Sequence, residues 1–529
     1  MPATSSTGAD DPPAEVLAPR DRMLLRRGIL GAVVAFVALS AIASLAARPF
    51  LPADESSNAD YALAAADGRI PGVDQPVVPR LPGQHSLPLQ YVANHPPLYY
   101  LLAGIPLRLG LALGQPMVGV YAARLLTVLL SAGAVLLTGV LAASLSAPRR
   151  RLPVAVGAAA LVATSSWLVL TSGIIHNDGL AATLLAAQLV ATVLVLRDGL
   201  RAGPCLLLVA SAALGMLTRI SALSLVALSA AALVAAGLLH PAGGRRRGLR
   251  RGVGWAALLL ATCALTSGWF YLRNLRRYGS PTAQDYVVDR LQEHGQRLHT
   301  PPSVAEVLLD LDTYGQQVLR MFGAYAANGL PASVQGPASW LIAGVWLAVA
   351  AGIVAAAVTL ARAGGHRRGG RPGGDRPAVE AAIWTLLGLH VVAVFLQIAN
   401  HVAEGGAANG RYLFPAWPVL TVVMAAAILW LPGRLGRVLL ALVVAAQAGL
   451  TVALLMAQAA RWTGGPVLTA LPKAVRLSGV PAPDVVLVGL AVLATVGLGT
   501  AVAAVLRSGG RTPGGYPVAP VPRPERSMR

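Results

Sequence analysis

The sequence predicts an all-α fold, a polytopic transmembrane helical bundle, and three observations predict it. Of 529 residues, 55% are hydrophobic and 12% charged, and the mean hydropathy is +0.63. A water-soluble chain has no interior large enough for that apolar content. Apolar runs of about 20 residues recur along the chain, each long enough as a helix to cross a ~30 Å hydrocarbon core. The runs do not alternate with period two, so they do not read as strands of a closed barrel, the other structure that satisfies its backbone in lipid.

The formal net charge of +20 does not point to nucleic acid. The basic residues are not interleaved with aromatics on a polar face; they cluster in short loops between apolar runs, as the positive-inside bias arranges them. Cys205 and Cys263 lie inside apolar runs as small core residues, with no metal or disulfide spacing. Residues 1–27 read as a disordered cytoplasmic tail, 28–507 as the transmembrane domain and 508–529 as a disordered basic tail. The first apolar run follows Arg20, Arg22, Arg26 and Arg27 and is long for a signal-peptide core, so it reads as an uncleaved span.

With Arg-rich loops placed inside, the spans form a zigzag of about twelve, both termini cytoplasmic. They fall near 28–48, 119–145, 153–171, 180–196, 203–217, 221–239, 253–271, 338–361, 380–399, 412–431, 436–459 and 484–507. Residues 95–114 are apolar, yet counting them as a span moves Arg149–Arg151 and every later basic loop outside. Pro106 and Arg108 also interrupt them, so they read as an amphipathic or re-entrant outer-surface helix. Residues 49–118 and 273–337 become the two sizeable outer segments.

Polar groups then gather at the outer boundary. Asp54 and Glu55 follow the first span; one reading is a solvated loop in which Asp54 caps a helix starting near Ser56. Asn177 and Asp178 mark another outer mouth, either as helix caps or as a site. Arg273, Arg276 and Arg277 are spaced i, i+3, i+4 on a continuing helix and so share a face. Such a face suits a lipid phosphate gripped by guanidinium groups, or arginines snorkelling among headgroups. Arg219 and Arg411 adjoin apolar runs where charge is costly and favours a polar cavity; Glu404 and His401 are candidate partners for Arg411. Arg124, one turn into the second span, reads as an interfacial anchor. His95 precedes a Pro-Pro that starts the surface helix.

The ordered series "PADESSNADYALAAADGRIP", "NHPPLYYLL", "AARLLTVLLSA", "HNDGLAATLLA", "GMLTRISALSL", "WFYLRNLRRYGSP" and "GRYLFPAWP" resembles the GT-C glycosyltransferases over about residues 25–435. It is similar to bacterial members near the protein O-mannosyltransferases and the lipid A aminoarabinose transferases. The resemblance implies a GT-C-like bundle that takes a sugar from a polyprenyl-phosphate donor in the membrane lipid. The acceptor it implies is an extracytoplasmic protein, glycolipid or polysaccharide. It gives Asp54 the role of catalytic base, with Glu55 as its partner, and places the donor phosphate at His95, where relatives often carry lysine. Arg273, Arg276, Arg277, Arg411 and Tyr412 resemble the groups that line the donor phosphate and sugar, and Arg219, Asn177 and Asp178 stand at the same level. The sequence assigns no cofactor; the alternative is a divalent metal at the acidic loop, as in some relatives. The competing functional class is a transporter or flippase of lipid-linked sugars, which predicts internal repeats and broken midplane helices not visible in this sequence.

Overall fold

The computed structural model describes residues 17–51, 53–241, 243–294, 302–310, 343–344, 347–354, 376–406 and 409–508. Its helices are α1 (Pro19–Ala46), α2 (Ala53–Ala66), α3 (Leu98–Ala112), α4 (Pro116–Leu145), α5 (Pro148–Ala163), α6 (Ser166–Ser172), α7 (Asp178–Asp198), α8 (Ala202–Met216) and α9 (Leu223–Leu239). They continue as α10 (Arg245–Tyr278), α11 (Gln284–Glu293), α12 (Val304–Leu309), α13 (Arg376–Ala403), α14 (Trp417–Ile428), α15 (Leu435–Thr463), α16 (Val467–Leu477) and α17 (Pro483–Arg507). Among the described residues the fold is helical, with one isolated antiparallel bridge, Val77 to Leu87.

Eight of these helices are long and apolar enough to cross a membrane: α1, α4, α7, α9 with its preceding turn, α10, α13, α15 and α17. A ninth span arises if α5 and α6, which meet at a 55° bend, are one broken span. The bend falls inside the span expected at 153–171. The expected span 203–217 is met by α8, of the same 15 residues' length, and 412–431 by the shorter α14, of 12. At 1.5 Å per residue those are about 22 and 18 Å long, less than a bilayer core. The expected span at 338–361 lies largely outside the described residues. Helix α1 begins at Pro19, so the last part of the expected 1–27 tail is helical, and residues 1–16 lie outside the described residues.

Helix ends sort into two groups. At one, Arg197 pairs with Glu380, His240 meets the Leu196 carbonyl, and Arg150 lies over the Trp430 ring. At the other, Trp462 donates to Ala46 O at 2.7 Å, Leu98 N to Leu217 O at 3.2 Å, and Tyr271 OH to Met216 O at 2.8 Å. Each contact joins loops that the zigzag puts on one side. Helices α1 and α17 run antiparallel, with Gly28 against Ala504 and Gly31 against the Gly497 backbone. A Cβ at Gly31 would stand 2.6 Å from Gly497 O, so only small residues permit this approach.

The segment after α1 folds as a packed cap with its own apolar core, including Phe50, Tyr61, Val73, Tyr99, Tyr100 and Leu107. Helix α3, within the 95–114 segment, packs on α2 and α4. A Cβ at Gly104 would sit 2.4 Å from Ala62 O, so α2 and α3 touch backbone to backbone. Asp60 ties the cap together by accepting from Gln90 at 2.7 Å and facing Arg80 at 3.6 Å. The end of α10 docks onto this cap: Arg273 donates to Pro71 O at 2.7 Å, and Arg277 to Asp74 at 2.8 and 2.9 Å.

Candidate active site

Helix α2 starts at Ala53, so Asp54 and Glu55 occupy its first turn and neither acts as the expected cap. Two acidic side chains there complement the positive end of the helix dipole. Adjacent residues on a helix point about 100° apart, and these two take separate roles.

Glu55 turns inward. Its Oε1 accepts from Arg124 Nε at 2.7 Å and Ile175 N at 3.0 Å; its Oε2 accepts from Arg124 NH2 at 2.6 Å and Phe50 N at 2.9 Å. The remaining Arg124 nitrogen donates to Ser44 O at 2.6 Å and Ala47 O at 3.0 Å. Both side chains are 0% exposed. This corrects two expectations: Arg124 is no interfacial anchor, and Glu55 is saturated with donors and faces no cavity. The pair is a clasp joining the end of α1, the start of α2, helix α4 and the loop before α7. It also holds Phe50, a non-glycine residue at φ 61°.

Asp54 turns the other way, into a cavity of about 1000 Å³. Its Oδ1 accepts from Tyr91 OH at 2.8 Å, and its Oδ2 from Arg411 NH1 at 2.7 Å. His176 Nε2 stands 3.0 Å from the same Arg411 nitrogen and 3.7 Å from Asp54 Oδ2. His176 Nδ1 lies 3.3 Å from Asp178 Oδ2, and Arg219 pairs with Asp178 Oδ1. Two carboxylates and two arginines thus alternate around one imidazole. Burial opposes charge on Asp54, but the neighbouring His176 ring and the Arg411 guanidinium outweigh it and hold its carboxyl well below the usual carboxylate range. Burial lowers His176 to about 4, with Arg411 and Arg219 adding to the shift, so its ring is neutral near pH 7.

The cavity brings together Asp54, His95, Asn177, Asp178, Arg219, Arg411 and Tyr412 from the sequence-derived set. The Tyr412 ring has the guanidinium carbons of Arg219 and Arg411 at 5.9 and 5.6 Å, with His401 edge-on at 4.7 Å. Arg273 and Arg277 do not line it, because the cap carbonyls and Asp74 engage them, and Arg276 is exposed outside it. The shared face of α10 is therefore a docking surface for the cap rather than a cavity wall. Arg411 takes Asp54 as its partner, while Glu404 bonds Asn400 at 2.6 Å, which corrects the expected Arg411–Glu404 pairing. Sequence reasoning missed His176 and Tyr91; the run His176-Asn177-Asp178 between apolar helices was the available signal for the first. Asp54 and Glu55 diverge, so they do not chelate one metal together. Among the described residues no group of three or more His, Cys, Asp or Glu side chains is arranged to hold a metal.

No protein-family model matches the chain, nor does any curated protein. The chain is similar in structure to ArnT. The crystal structure of ArnT from Cupriavidus metallidurans bound to undecaprenyl phosphate aligns with 92% of this chain and 77% of that one, at 18% identity and a TM-score of 0.46. ArnT in the apo state aligns with 93% and 78%, at 17% identity and a TM-score of 0.45. The chemistry of the cavity therefore rests on this chain's own residues.

Proposed function

We propose that this protein is an integral membrane glycosyltransferase that moves a sugar from a polyprenyl-phosphate donor to an extracytoplasmic acceptor, with Asp54 as base. The observation that carries the reading is the Asp54–Arg411 pair in a cavity that also holds Arg219 and has an apolar flank. A volume of about 1000 Å³ is at the upper end of small-molecule sites. Val287, Val288, Leu291 and Leu396 line the flank, which suits a prenyl chain. The order of sequence motifs that resembles GT-C enzymes supports the same class. Arg-rich loops on the opposite group of helix ends support a site facing out of the cytoplasm, both termini inside, in the cell membrane.

Cleaving the bond from anomeric carbon to phosphate oxygen leaves an anionic polyprenyl phosphate. Arg219 and Arg411 stabilise that charge without reorganising. Asp54 takes the proton of the acceptor hydroxyl as its oxygen attacks the anomeric carbon, and a single displacement inverts that centre. The Arg411 contact makes free Asp54 a weak base. A donor phosphate near both groups shares the Arg411 donors and adds like charge, and each effect raises the Asp54 pKa. The base strengthens only when the donor is in place.

The test uses the purified protein in sealed liposomes with radiolabelled polyprenyl-phosphate sugars and an envelope fraction as acceptor source. The account expects label to move to acceptor with release of polyprenyl phosphate. Movement of intact donor across the bilayer without cleavage would establish the flippase reading instead.

A further inference from the structure

One guanidinium nitrogen covers two basic atoms of the cavity. Arg411 NH1 donates to Asp54 Oδ2 at 2.7 Å and stands 3.0 Å from His176 Nε2, and those two atoms are 3.7 Å apart. The other Asp54 oxygen, Oδ1, is taken by the Tyr91 hydroxyl at 2.8 Å. A donor phosphate that draws Arg411 toward itself therefore uncovers Oδ2 and Nε2 together.

The neighbours of His176 assign its tautomer. A guanidinium has only hydrogens to offer, so Nε2 accepts from Arg411 and the single ring hydrogen of the neutral imidazole sits on Nδ1. Nδ1 lies 3.3 Å from Asp178 Oδ2, a buried carboxylate oxygen with no other hydrogen-bond partner. Asp178 N is 3.3 Å from the same Nδ1, and the hydrogen there leaves it no lone pair to accept with. Arg219 holds Asp178 Oδ1, and the Ile175 N bond to Glu55 fixes the loop just before the histidine. The imidazole thus presents a lone pair on the side of Asp54 and a hydrogen to Asp178, the orientation a proton acceptor needs.

We propose that His176 is a further catalytic residue, which takes from Asp54 Oδ2 the proton that Asp54 removes from the acceptor hydroxyl. This inference rests on the glycosyl-transfer reading with Asp54 as base. As the acceptor oxygen bonds the anomeric carbon, the bond from that carbon to the phosphate oxygen breaks with its electron pair, and the hydroxyl proton moves to Oδ2. Nε2 then accepts that proton, Asp54 is an anion again, and the imidazolium pairs with Asp178 through Nδ1. The positive ring also offsets the charge that forms on the departing polyprenyl phosphate. The charged and titratable groups around His176 are Asp54 on α2, His95 before α3, Asp178 opening α7, Arg219 before α9 and Arg411 before α14. When the polyprenyl phosphate leaves and Arg411 returns, burial together with the Arg411 and Arg219 charges brings the ring's pKa back to about 4, and the proton passes to water.

The label-transfer assay tests the relay with two variants. In His176→Gln the amide oxygen still accepts from Arg411 but takes up no proton, and transfer falls by about 10²-fold, the lower end of the worth of a positioned proton acceptor. Binding of bare polyprenyl phosphate stays at the wild-type value, because the lost step belongs to the transition state. His176→Ala opens room for a small base. Added imidazole raises its transfer about tenfold or more, and pyrazole, of the same shape but a far weaker base, does not. A His176→Gln protein that transfers at the wild-type rate, a His176→Ala protein that imidazole leaves inactive, or equal rescue by pyrazole would overturn the relay. Loss of phosphate binding in step with transfer would also overturn it, because it reveals a structural role. A wild type that moves no label, or an Asp54→Asn protein that transfers like the wild type, sinks the transfer or base reading and the relay with it. An inactive Asp54→Asn beside a fully active His176→Gln sinks the relay alone.

Discussion

Asp54→Asn lowers sugar transfer by about 10²–10⁴-fold, the usual worth of a positioned general base, while polyprenyl-phosphate sugar still binds. The amide keeps the size of the side chain; its one oxygen accepts from Arg411 and its Nδ2 donates to the Tyr91 hydroxyl, which can accept, so the cavity keeps its shape. It has no basic oxygen to take the acceptor's proton. The Arg411 contact supplies a second readout with a definite sign. In the wild type Asp54 titrates well below the ordinary carboxylate range, so its proton uptake does not limit activity at mildly acid pH. Arg411→Met removes a cause of that depression, and the Asp54 pKa rises. The acid limb of the rate–pH profile then moves upward, toward or beyond the usual carboxylate range. Overall turnover also falls, because a phosphate-binding guanidinium is lost, but the displaced limb reports on Asp54 and the neighbouring His176 alone. A profile that keeps its acid limb in Arg411→Met would show that Asp54 does not carry the rate-limiting proton.

Breaking the Glu55–Arg124 clasp produces the largest loss of stability. Glu55→Ala leaves a guanidinium without a counter-ion in a fully buried site and strips Phe50 N and Ile175 N of their acceptor. Removing one partner of a buried pair costs about 3–5 kcal/mol. The variant is expected to unfold at markedly lower temperature, read from intrinsic tryptophan fluorescence in nanodiscs, or to fail to accumulate as a monodisperse protein. Glu55→Leu combined with Arg124→Met recovers much of the loss, because matched apolar side chains leave no orphaned charge. The double variant stays impaired in transfer, since Ile175 and Phe50 remain unanchored and position His176 and Asp54. A Glu55→Ala protein that melts like the wild type would overturn the clasp.

How much of this was legible depends on distance along the chain. Helical spans follow from composition and length, and α1, α4, α7, α9, α10, α13, α15 and α17 appear where apolar runs were long. The run at 412–431 gave a helix of 12 residues, because hydropathy does not record where a helix stops. The break between α5 and α6 was equally hidden, since "VATSSWL" stays apolar enough to read as one segment. In the site, spacing placed the right loops at one level, and Asp54, Arg219 and Arg411 meet there. Partner choice was not legible. Asp54 and Glu55 are neighbours, and only the packing of α1, α2 and α4 decides that one faces Arg124 and the other Arg411. Of the Arg273, Arg276 and Arg277 set, Arg273 and Arg277 meet the carbonyls and carboxylate of the cap at residues 70–74, which only its fold supplies, and Arg276 stays exposed. His176 escaped because a single histidine has no spacing of its own.

The most direct measurement of the central claim is an electron cryo-microscopy structure of the protein with a polyprenyl phosphate bound. The account predicts phosphate density within hydrogen-bonding distance of Arg219 or Arg411, the chain lying along Val287, Val288 and Leu396, and Asp54 facing the space where the sugar would sit. Phosphate density against Arg276 on the outer surface, with the Asp54 cavity empty, would contradict it.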